Sequence, residues 1–173
     1  MKQNTKLPLL LVLALPILLI ISTELSKVTL NLFGQPIYLI TFIFPLTFLV
    51  SAFISKRAES KVGITLVILS LIIQCFVFVL KWTLLGAVDY VLMEITFLAF
   101  FMSQFLLLLG YEVLKEINKI DKIGYVLFLI LISTLIETMF YISAFVEITV
   151  LSLILTVIIK IIYDLIIAKI LTK

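Results

Sequence analysis

GYVLFLILISTLIETMFYISAFV at residues 124–146, followed after two residues by TVLSLILTVIIKIIYDLIIA at 149–168, decides the fold. Each run is about as long as the roughly 20 helical residues that cross some 30 Å of hydrocarbon at about 1.5 Å per residue. Neither run alternates polar with apolar residues, as a barrel strand would. Working outward, the apolar runs at 7–25, 36–55, 62–80 and 91–110 repeat the pattern. The expectation is an all-α membrane protein: one transmembrane domain, residues 1–173, built as a bundle of six helices.

Composition agrees. Of 173 residues 64% are apolar and only 13% charged, about half the charged share of a soluble domain. A soluble interior of this size has too little volume for so much hydrocarbon, whereas lipid can cover the outside of a bundle. Cys75 is the only cysteine and histidine is absent. Together these exclude an internal disulfide, a Cys- or His-ligated metal and a Ser-His-Asp triad. No glycine-rich phosphate loop is present. An enzyme, a cofactor and a metal are therefore not expected. The net charge of +3 forms no basic stripe with interleaved aromatics, so nucleic acid is not an expected partner. Lysine outnumbers arginine 12 to 1 and isoleucine is abundant, a usage that points to an AT-rich, bacterial source.

The basic residues test the count. Lys2 and Lys6, then Lys56, Arg57 and Lys61, then Lys115, Lys119 and Lys122, then Lys169 and Lys173 fall on one side of a six-span chain, against Lys27 and Lys81 on the other: ten against two. Basic connections mark the cytoplasmic side, so both termini are expected in the cytoplasm. The segment 111–122 mixes charges with Val113, Leu114, Ile117 and Ile120, as suits a helix at the interface or an extension of the fourth span. Pro16 and Pro45 are expected to bend their spans.

A charge in the bilayer centre costs roughly 2.5–3.5 kcal/mol even on lenient scales, so ionisable residues within spans carry the information. They are Glu94, Glu137, Lys160 and Asp164. Glu94 is near the outer end of its span, where water reaches it. Ser152, Thr156, Lys160 and Asp164 recur every fourth residue, as do Ser133, Glu137 and Tyr141, so each set lines one helix face. Such stripes line a polar path or bond helix to helix. Counting from the short connection between the last two spans, Glu137 and Lys160 lie at nearly equal depth on antiparallel neighbours, and they are expected to pair. Lys160 with Asp164, one turn apart, is the rival pairing.

Phe44-Pro45-Leu46-Thr47-Phe48-Leu49, with Gly34 ten residues before it, resembles the second-span signature of the queuosine-precursor transporter family, of the vitamin-uptake type. Glu137-Thr138-Met139-Phe140 resembles its acidic-Thr-x-x-Phe pattern, and Lys160 a lysine of its last span. Where that family carries Asp, Glu and Gly after the Phe-Pro run, this chain has Ala52, Lys56 and Glu59. The resemblance implies a six-span protein of the bacterial inner membrane that imports 7-deazaguanine bases. A planar base needs aromatic faces and a few fixed polar contacts. Phe44, Phe48, Phe140 and Tyr141 are the candidates for the first, Glu137 and Lys160 for the second. The leading expectation is a small-solute transporter in the lipid bilayer, alone, as a homo-oligomer or with importer partner subunits. The alternatives are the substrate-binding membrane subunit of a multi-subunit vitamin importer and a non-transporting accessory protein.

Overall fold

The structure is a computed structural model and describes residues 9–57, 60–86, 90–144 and 149–172. It contains six helices and one hairpin: α1 (Leu9–Glu24), β1 (Thr29–Leu32), β2 (Gln35–Tyr38), α2 (Ile40–Arg57), α3 (Ser60–Leu85), α4 (Tyr90–Glu116), α5 (Ile123–Ala144) and α6 (Val150–Leu171). α2 to α6 supply five segments long and apolar enough to cross a membrane, so the chain is a multi-pass membrane protein with an all-α bundle. α1 begins at the edge of the described residues, and its 16 residues span about 24 Å. Residues 7 and 8 of the expected first span lie outside the described residues, as do 145–148, most of the connection between α5 and α6.

α2 is the central helix. It packs on α1, α3, α4 and α6, and it is the most buried of the five long spans. The most extensive helix contact is between α4 and α5. The core is aromatic and aliphatic, with Leu15, Leu19, Phe44, Phe48, Phe100, Leu107, Tyr111 and Ile130 enclosed. Phe48, Phe100 and Tyr141 each meet the Phe44 ring edge to face, with centroids 5.7, 6.2 and 5.9 Å from it.

The second span starts later than the sequence led us to expect. Residues 36–38 belong to β2 and α2 begins at Ile40. Thr29 pairs with Tyr38 and Leu32 with Gln35, so the hairpin closes through Phe33 and Gly34, at φ 53° and 78°. Two consecutive positive φ values define the turn whose twist matches paired strands. Gly34 adopts its angle without steric cost. Pro36 stands opposite Asn31 at a position that needs no ladder N–H, which lets a proline sit within the strand.

The segment after Gly110 extends the fourth span, as one of its two expected forms. α4 runs on to Glu116 and ends in a left-handed cap. Asn118 has φ 53°, the Lys119 N–H donates to the Leu114 carbonyl at 2.8 Å, and the Asn118 N–H donates to the Lys115 carbonyl at 3.1 Å. α6 starts on Thr149, whose side chain accepts from the Ser152 N–H.

Candidate functional site

α5 and α6 bring together the charged residues read from the sequence. Lys160 Nζ donates to Glu137 Oε2, and the pair is fully enclosed. Equal depth on antiparallel neighbours puts the two groups face to face. Each would be costly alone in hydrocarbon, and together they neutralise one another.

Lys160 Nζ also donates to Thr138 Oγ1 at 2.9 Å. The Thr138 hydroxyl then donates to the Thr134 carbonyl at 2.6 Å. Asp164 does not take the lysine. Its Oδ1 accepts from the Thr134 hydroxyl at 3.0 Å, and the residue is fully buried. The result is one connected system of five residues, Glu137, Lys160, Thr138, Thr134 and Asp164, linked in part through the Thr134 backbone carbonyl. Two carboxylate oxygens of this system, Glu137 Oε1 and Asp164 Oδ2, have no hydrogen-bond partner among the described residues. Tyr141, one turn beyond Glu137 on α5, is buried as well.

A cavity of about 30 Å³ reaches Lys160 between Tyr38, Thr41, Tyr141 and Thr156. That is room for one water and too little for an organic solute. The hairpin closes this end: Ser152 Oγ donates to the Pro36 carbonyl at 2.6 Å, and Thr149 Oγ1 donates to Gln35 Oε1 at 2.8 Å.

Of the four aromatic candidates, Tyr141 alone lines the cavity at Lys160. Phe44 and Phe48 are enclosed in core contacts on α2, and Tyr141 joins them through Phe44. Phe140 lines a separate hollow with Met102, Ile136 and Met139. Glu94 is exposed. Glu24 is bridged by Lys81 at the end of α1.

A second polar column escaped the sequence reading. Thr47, Ser51 and Ser55 recur every fourth residue on α2, all buried. Gln104 Nε2 donates to Thr47 Oγ1 at 2.7 Å, joining α2 to α4. Its four-residue spacing was as visible as the stripes on α5 and α6. Hydroxyls lack the penalty that makes a charge conspicuous, and small residues here let helices approach closely. Lys56, where the resembled family carries an acid, donates to the Leu171 carbonyl at 2.6 Å and pairs with Asp121 at 3.4 Å. It caps the end of α6.

No protein-family model, curated protein or solved structure matches this chain.

Proposed function

We propose that the chain is a transporter of a small solute in a bacterial inner membrane, with Glu137, Lys160 and Thr138 as its polar contacts. The observation that carries this reading is the buried ion pair with a carboxylate oxygen left unbonded among the described residues. An ion pair kept only for stability is a poor choice, because well-packed apolar residues in its place are often neutral or stabilising. Unsatisfied buried polar atoms in a native fold call for a role. Glu137 Oε1 offers an acceptor to an N–H of the solute, and Thr138 and Lys160 flank it. The Phe44-Pro45 and Glu137-Thr138 motifs make a 7-deazaguanine base the substrate to test first. The 30 Å³ cavity must widen to admit such a base, so binding and helix movement are coupled in this scheme.

The test is uptake of a radiolabelled 7-deazaguanine base by bacteria that lack their own importer. Cells expressing the chain should accumulate label above the vector control. At matched membrane abundance, Glu137→Gln and Lys160→Met should each reduce the rate by about tenfold or more, as for loss of a charge-assisted contact. No uptake above control rejects this substrate. Uptake that survives both changes rejects the site.

A further inference from the structure

Lys160 and Thr138 also border a second space, distinct from the small cavity. α5 and α6 part there into a groove of about 330 Å³, at the small end of the range for ligand sites. Its walls include Phe128, Leu135, Val157 and Ile161, which are exposed on the outside of the bundle, where lipid lies. Its polar lining is Thr134, Thr138, Lys160 and Asp164, all buried. Asp164 stands seven residues before the end of α6 at Leu171, about 10 Å along the axis. The groove therefore opens to the hydrocarbon layer, not to water.

The charges there do not balance. The buried acidic and basic side chains among the described residues are Lys160, Glu137 and Asp164, one base against two acids. Lys160 is committed to Glu137 and Thr138. Asp164 Oδ1 is bonded by Thr134, while Oδ2, on a fully buried side chain lining the groove, has no partner among the described residues. A groove with apolar walls and one spare acidic acceptor suits a particular chemistry. We propose that it is a membrane-facing binding site for a lipophilic organic cation with an N–H donor. The ammonium sits on Asp164 Oδ2, and the hydrocarbon body lies between α5 and α6. The ligand enters this groove from the bilayer and binds Asp164, whereas the solute considered above binds Glu137 and Lys160, so this proposal does not depend on that one.

The test uses the full chain in lipid nanodiscs and radiolabelled n-octylamine, with empty nanodiscs as the partition control. Saturable binding above the control is expected, and octanoate should not compete. Asp164→Asn keeps the shape and removes the charge, and it should weaken binding by about tenfold or more. Val157→Trp fills the groove from its lipid-facing wall and should do the same with Asp164 intact. It decides the matter if Asp164→Asn fails to fold. The proposal is overturned if octylamine shows no saturable excess, if octanoate competes equally, or if a folded variant of either kind keeps full affinity. A disulfide between two chains through Ile161→Cys, without octylamine binding, would assign the groove to a second copy and equally overturn it.

Discussion

Lys160→Met removes the charge and the donors of the side chain while keeping most of its length. Lys160 bonds Glu137 and Thr138 and acts electrostatically on Asp164. The change therefore strands the buried Glu137 carboxyl group, while Asp164 keeps its bond from Thr134. Removing one partner of a buried pair costs about 3–5 kcal/mol. At roughly 2–4 °C per kcal/mol for a chain of this length, the unfolding midpoint should drop by about 6–20 °C. Glu137→Gln should cost less, because Lys160 keeps Thr138 and has Asp164 one turn away on its own helix. The double variant carries neither stranded partner of the pair. It should be more stable than the sum of the single losses implies, with a coupling of about 1–3 kcal/mol. Thermal unfolding in nanodiscs, followed by loss of the monodisperse peak, measures all four proteins. A Lys160→Met midpoint within about 2 °C of the parent, less than a single kcal/mol, would refute the energetic reasoning. Strict additivity in the cycle would refute the pairing itself.

Two further outcomes are expected. A Cβ on Gly110 would lie 2.1, 2.9 and 3.0 Å from Leu129 Cδ1, Cδ2 and Cγ, so Gly110→Ala should destabilise by about 1–3 kcal/mol, whereas Gly124→Ala meets nothing within 4 Å and should be nearly neutral in the same unfolding assay. For orientation, in a Cys75→Ser background, Phe33→Cys at the hairpin tip should react with a membrane-impermeant maleimide on intact cells and Lys61→Cys should not; the reverse pattern would invert the assigned topology.

The sequence made the helices legible through length and apolarity, and the Glu137–Lys160 pair through depth along two adjoining spans. Both depend on position along a helix axis. What stayed hidden depends on rotation about that axis. A soluble helix announces its inner face by contrast with a polar outer one, but here lipid and core are equally apolar. Nothing in the composition of α2 distinguishes enclosed Phe44 and Phe48 from half-exposed Leu46. For the same reason Phe140 could not be assigned to its separate hollow. The hairpin was hidden differently. Its β2 half, Gln35–Tyr38, merges with the apolar run that follows, and a proline at Pro36 argues against a strand until its pairing partner is known. Its turn carries Phe33 where asparagine or glycine is usual.

The bonds at the two ends of α6 share a single anchor. At its beginning, Thr149 and Ser152 are tied to Gln35 and Pro36, just ahead of α2. At its far end the Leu171 carbonyl accepts from Lys56, in the last turn of α2. These fastenings sit some 28 Å apart along the axis, so α6 can neither slide along α2 nor pivot about one end without breaking one of them. No such double fastening joins α6 to α5 among the described residues; the side-chain bonds there are Lys160 to Glu137 and Thr138, and Thr134 to Asp164, all near mid-length. A displacement that spares the clamped ends must carry α2 and α6 together as one strut, and the line along which it shears runs through the ion pair.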